Sequence, residues 1–205
     1  GVFLILLGLL LLLETLGLLR SGAELAVAAA FALGGAAFLW GFVSRCEWWW
    51  SAIPGMALLG IGLLIGYTTL AGGDGGELAA SLFLGTLGAG FFLVYLRLRE
   101  HWWAIIPGGV LLTLALTVGL EPAFDKDEAT VAVLFLGLAL TFVLVYLAPN
   151  PEGRMTWAPI PAVILAVIGT LILAGSAQLL GFIWPLALMA GGLLLLLKTV
   201  SGGGR

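Results

Sequence analysis

"EHWWAIIPGG", residues 100–109, sets a charged pair, two tryptophans and a Pro-Gly-Gly directly ahead of a long apolar run. Trp103 and Pro107 enclose three residues, and so do Trp50 and Pro54 in "WSAIP" (50–54) and Trp157 and Pro161 in "WAPIP" (157–161). The three prolines lie 53 and 54 residues apart, room for two membrane-crossing helices and their turns. Trp-x-x-x-Pro therefore reads as the mark of a repeated helical hairpin. Its tryptophans suit the layer between headgroups and hydrocarbon, where an amphipathic ring is at home. Its proline suits the first helical turn, where the missing N–H would have had no partner and the fixed φ helps the helix start. Trp49, Trp50, Trp102, Trp103, Trp157 and Trp184 are expected to be interfacial anchors.

Composition points the same way. Of 205 residues, 62% are hydrophobic and only 9% charged, with a mean hydropathy of +1.21, whereas soluble domains carry about 25% charged residues. Eight apolar runs, at 2–19, 24–43, 50–70, 78–96, 104–120, 129–147, 158–176 and 181–198, fill the chain as one transmembrane domain over 1–205. All are expected to be helices, because backbone groups in lipid must be satisfied internally. The runs are continuous rather than alternating, unlike barrel strands. The fold class is therefore an all-α polytopic membrane protein of about eight transmembrane helices. The net charge of −3 is too small to suggest nucleic acid, and a single cysteine, Cys46, excludes an intramolecular disulfide or a cysteine-built metal cage. The first run opens at Gly1 with no basic flank, a poor match to a signal peptide.

Let A be the helix before each signature and B the helix after it. In A, "FFLVYL" (91–96) matches "FVLVYL" (142–147), and Trp40 and Val43 fit the earlier copy. In B, Gly62, Ala115 and Gly169 lie seven residues beyond Gly55, Gly108 and Ala162, as Gly8 lies beyond Gly1. The first run is then a B helix, the last falls at an A position, and the order becomes B, AB, AB, AB, A. Two-helix units restore the chain direction, which permits pseudo-fourfold symmetry about the membrane normal with the last A helix beside the first B helix. The A-to-B turns and the C-terminus carry Arg45, Arg97, Arg99, Arg154, Lys198 and Arg205, against Arg20 and Lys126 at the other end. The positive-inside rule puts the A-to-B turns and both termini in the cytoplasm, with the chain in a bacterial inner (cytoplasmic) membrane.

Small residues at four-residue spacing, such as Gly62 and Gly66, or Ser81, Gly85 and Ala89, suit close helix packing. Glu14, Thr68 and Glu121 share one place in successive B helices, thirteen residues beyond Gly1, Gly55 and Gly108. A carboxylate inside a membrane is costly, so these three form a candidate intramembrane polar site, the alternative being that Glu121, before Pro122 at a helix end, and Glu14 are solvated or capped at the outer interface. Thr86, Thr113, Thr117, Thr141 and Thr170 are the other mid-membrane polar groups. The one histidine, His101, is the only obvious ligand for a haem or pigment. "DKDE" (125–128) lacks the glycine and distal glutamate of a calcium loop. With no nucleophile–base set, phosphate cradle or metal spacing, no enzyme activity, cofactor or metal is expected.

"GVFLILLGLLLLLETLGLL" (1–19) and the stretch from Trp157 to Lys198, with Trp184, Pro185 and Gly191, resemble the small two-helix membrane domains of bacterial hypothetical proteins and of LiaF-type envelope-stress regulators. The resemblance implies apolar hairpins and brings no catalytic residues; the soluble signalling part of such regulators has no counterpart here. The expected function is a structural or accessory subunit of a larger membrane or envelope assembly. Its partners would be membrane lipids and other membrane subunits or further copies of itself. The alternative is a small-solute or ion transporter or channel along the repeat axis.

Overall fold

The computed structural model describes residues 8, 21–72, 75–121, 127–149, 153 and 155–174. Six helices follow in order: α1 (Ser21–Ser44), α2 (Ala52–Leu70), α3 (Gly76–Arg97), α4 (Ile105–Leu120), α5 (Asp127–Leu147) and α6 (Pro159–Leu173). Tight 3-10 turns at Cys46–Ser51 and Trp102–Ala104 lead into α2 and α4. No strand occurs among the described residues. Five segments, Gly22–Ser44, Glu47–Leu70, Gly76–Arg97, Trp102–Leu120 and Glu128–Leu147, are long and apolar enough to cross a bilayer. Between 17% and 33% of each is buried within the protein. The remaining apolar surface suits lipid, and the chain has the build of a multi-pass membrane protein. The run expected at 158–176 is the shorter α6, and those at 2–19 and 181–198 lie outside the described residues apart from Gly8.

The three described B helices start in one way. Pro54, Pro107 and Pro161 are the third residues of α2, α4 and α6, and the residues preceding the prolines by three, Ser51, Ala104 and Ala158, are each 0% exposed. None of these starts has a side-chain cap. Local bonds bind the turns instead: Ala104 N–H to the His101 carbonyl (3.0 Å), Ala158 N–H to that of Met155 (3.1 Å), and the Ser51 hydroxyl to that of Trp48 (2.6 Å). After α2 the chain turns through Gly72 and Gly75, at φ of 66° and 85°, a left-handed conformation that favours glycine.

Each helix packs chiefly against its chain neighbours, α1 on α2 through to α5 on α6, so the six form a row. Three contacts recur along it. Phe38 and Trp50, Phe91 and Trp103, and Phe142 and Trp157 stand edge-on at 6.3, 6.4 and 6.1 Å, with interplanar angles of 70°, 79° and 75°. A Cβ at Gly35 would meet the Gly55 carbonyl and Leu59, and one at Gly88 would meet the Gly108 carbonyl and Leu112, while Ala139 and Ala162 are buried at the corresponding places of α5 and α6. Gly62 abuts Ala32, Gly85 abuts Ala115, and Gly169 abuts Leu136. These approaches provide the close packing that holds helices together in lipid.

The two contacts between successive pairs match in position and reverse in size. Between α2 and α3, Gly60 faces Phe83 and Thr86, and Gly90 faces Met56. Between α4 and α5 the corresponding partners are Thr113 facing Gly137, and Gly109 facing Thr141. A glycine thus always receives a larger side chain, from alternate sides. A buried cluster lies at the A-to-B end, where Phe42, Val94, Tyr95, Ile105 and Val145 pack with Ala52, Ala104, Ala148 and Ala158.

Candidate functional site

The A-to-B end gathers the positive charge of α1 and α3. Arg45 lies over the Trp48 ring at 4.6 Å, Arg97 over Phe42 at 4.9 Å and Arg99 over Tyr95 at 4.6 Å. A guanidinium on a ring face keeps its charge while its stem covers apolar surface, which suits the headgroup layer. α1 has no basic residue in its own last turn. Arg97 of α3 reaches across, one terminal N–H directed at the Val43 carbonyl (3.5 Å), and complements the negative end of the α1 dipole. Its Nε is buried without a partner, as is Nδ1 of His101. The imidazole lies between Trp49, at 4.2 Å and 44°, and Trp103, at 6.2 Å and 61°.

The tryptophans divide into two kinds. Trp50, Trp103 and Trp157, the signature residues, are 48%, 40% and 43% exposed and meet the preceding A helix edge-on. Trp49 and Trp102 are half-buried against the core cluster. Trp184 lies outside the described residues. Sequence reading grouped all six, because residue type alone does not separate a ring turned outward from one turned inward.

At the opposite end, Glu121 is exposed at the C-terminal end of α4. Thr68 donates to the carbonyls of Leu64 (2.9 Å) and Ile65 (3.0 Å) in its own helix. α2 and α4 both pack on α3, which separates Thr68 from Glu121, so the two are not brought together. Glu14 lies outside the described residues. Four of the five mid-membrane threonines turn back likewise, Thr86 to Leu82 (2.6 Å), Thr117 to Thr113 (2.8 Å), Thr141 to Gly137 (3.0 Å) and Thr170 to Ala166 (2.8 Å), while Thr113 is buried against Gly137. Besides the Arg97–Val43 contact, two polar links between helices escaped the sequence reading. Thr69 donates to the Glu24 carboxylate (2.7 Å), tying the end of α2 to the start of α1, and Ser81 donates to the Ala115 carbonyl (2.7 Å) between α3 and α4. Glu24 four residues into α1, opposite the paired threonines closing α2, was the available signal for the first.

Among the described residues no group of three or more His, Cys, Asp or Glu side chains is arranged to hold a metal. Of "DKDE", Glu128 is exposed in the first turn of α5, where its charge complements the helix dipole. The A-to-B end also holds a pocket of about 230 Å³ between α3, α4 and α5, with Phe92, Tyr95, Ile105, Leu144, Leu147, Ala148 and Pro149 as its walls. Set against family models, curated proteins and solved structures, the chain matches none.

Proposed function

We propose that the chain is a structural or accessory subunit of a larger membrane assembly, catalysing no reaction of its own. The observation that carries this reading is the outer face of α6, where Ile160, Val163, Ile164 and Val167 are 65%, 61%, 55% and 50% exposed at helical spacing. At the places of Val163 and Val167, α2 has Met56 and Gly60 and α4 has Gly109 and Thr113, all in contact with the next helix. α6 therefore offers a packing face of the kind that its counterparts use, open to a partner subunit or to the run at 181–198, which lies outside the described residues. The hydroxyls of Thr86, Thr117, Thr141 and Thr170, bonded to their own helices, favour this reading over a polar conduction path.

The full arrangement in this proposal is eight helices as repeated hairpins with pseudo-fourfold symmetry, the last A helix beside the first B helix. The recurring Phe–Trp pairs and glycine contacts support the repeat. The membrane is a bacterial inner one, with the A-to-B turns and both termini cytoplasmic, a reading supported by Arg45, Arg97 and Arg99 clustering at one end.

The test of function is gentle detergent extraction from native membranes, native gel separation and mass spectrometry of the band. Stoichiometric co-migration with a larger membrane assembly is expected. Migration alone, together with solute flux in reconstituted vesicles, would replace the accessory reading by a transporter. Orientation has its own test. In a Cys46→Ala background, a cysteine at exposed Glu100 should resist an impermeant maleimide until cells are permeabilised, and one at exposed Glu77 should react at once. The reverse pattern would invert the topology.

A further inference from the structure

We infer that the pocket between α3, α4 and α5 is a binding site for one anionic phospholipid, with its phosphate at Arg99 and the upper part of an acyl chain among Phe92, Ile105, Leu144 and Leu147. The inference starts from a missing side chain. "FFLVYLR" (91–97) and "FVLVYLA" (142–148) match except at the second position, Phe92 against Val143, and at the last, where Arg97 becomes Ala148. Arg97 crosses from α3 to lie over Phe42 of α1. Phe42 precedes Tyr95 by 53 residues, the same offset that relates Gly35 to Gly88 and Gly55 to Gly108 in their matching contacts. Ala148 and Tyr95 therefore stand where Arg97 and Phe42 stand one step earlier, and with no long side chain to fill it the slot remains open at about 230 Å³. That is below the about 300–1,000 Å³ of sites for drug-sized molecules, and it suits a portion of one chain.

Charge supplies the choice of headgroup. Tyr95 is at once a wall of the pocket and the seat of the Arg99 guanidinium, 4.6 Å from the ring centre. Arg99 is exposed, and among the described residues no carboxylate forms an ion pair with it. Among the described residues its N–H groups meet no acceptor, and a guanidinium binds a phosphate in a forked geometry. The walls are almost wholly apolar, so a chain can enter without stranding a polar group. The site is independent of whether the protein serves an assembly or moves a solute.

The experiment is native mass spectrometry of the purified full chain in detergent, with phosphatidylglycerol or phosphatidylcholine of identical acyl chains added. One retained phosphatidylglycerol per chain is expected, favoured over phosphatidylcholine by about tenfold, the effect of one charged hydrogen-bonded contact. Arg99→Gln should remove the preference, and Ala148→Arg should expel both lipids by filling the slot as Arg97 does. Arg99→Gln alters only an exposed side chain, so it decides the matter even if Ala148→Arg fails to fold. An unchanged headgroup preference in Arg99→Gln, or undiminished lipid on folded Ala148→Arg, would overturn the site. Glycerol 3-phosphate should not displace the lipid; displacement would assign the pocket to a free phosphate instead.

Discussion

Gly137→Thr is expected to cost about 3 kcal/mol or more and to leave little folded protein, and adding Thr113→Gly is expected to restore most of the loss. A Cβ at Gly137 would lie 2.5 Å from Cγ2 and 2.7 Å from Oγ1 of Thr113, so two threonines cannot share that level of the α4–α5 contact. One level along, Gly109 meets Thr141 even more closely, so moving the helices apart to relieve the clash would forfeit that packing. The double variant rebuilds what already exists between α2 and α3, where glycine is on the earlier helix at Gly60 and threonine on the later at Thr86. Thr113→Gly alone should cost about 1–2 kcal/mol, from a cavity and from the backbone freedom of glycine. Denaturant unfolding in detergent micelles gives all three values. A double variant no more stable than Gly137→Thr would show that the two interfaces do not share one geometry.

Two adjacent glycines should respond in opposite directions to one added methyl. At Gly35 a Cβ would lie 2.7 Å from the Gly55 carbonyl oxygen, 2.7 Å from Leu59 Cγ and 2.9 Å from the Leu59 nitrogen. Two of these atoms are backbone and cannot swing aside, so Gly35→Ala should destabilise by about 2–3 kcal/mol. At Gly34 the nearest atom is Leu58 Cδ1 at 3.7 Å, an ordinary contact, and Gly34→Ala should stabilise by about 0.5–1 kcal/mol through the lower backbone freedom of alanine. Gly88→Ala, with its nearest atoms at 3.0–3.1 Å, should fall between. Thermal unfolding of the three variants in one detergent gives the order. Equal responses at Gly34 and Gly35 would remove the close α1–α2 approach from the account.

The helices were legible because a bilayer leaves few choices. Apolar runs between charged or glycine-rich breaks end within a few residues of α1 to α5, and the signature prolines fall in the first turns of α2, α4 and α6. The ring that each signature tryptophan meets was not legible. Phe38, Phe91 and Phe142 precede their tryptophans by 12, 12 and 15 residues, because the last A-to-B turn is longer, and a fixed-spacing search misses a partner across a variable turn. The glycine–threonine reversal was hidden for a related reason. Spacing along one helix displays a stripe of small residues, whereas size complementarity belongs to two helices at once. The sequence spacing assigns Thr68 and Glu121 one repeat position, and the structure places them at helix ends with α3 between. Shared position in a repeat predicts shared local geometry, and convergence on one site requires a closed ring that six helices in a row do not form.

That row also bears on how the protein is made. Among α1 to α6, a helix leaving the ribosome and entering the bilayer finds its main partners in those inserted just before and just after it, and none of the six need wait for a distant segment. Contacts so close in sequence carry little loop-closure cost, which favours rapid assembly in the order of synthesis. Each completed pair leaves an edge open to the next, so the growing chain is its own template from α1 onward.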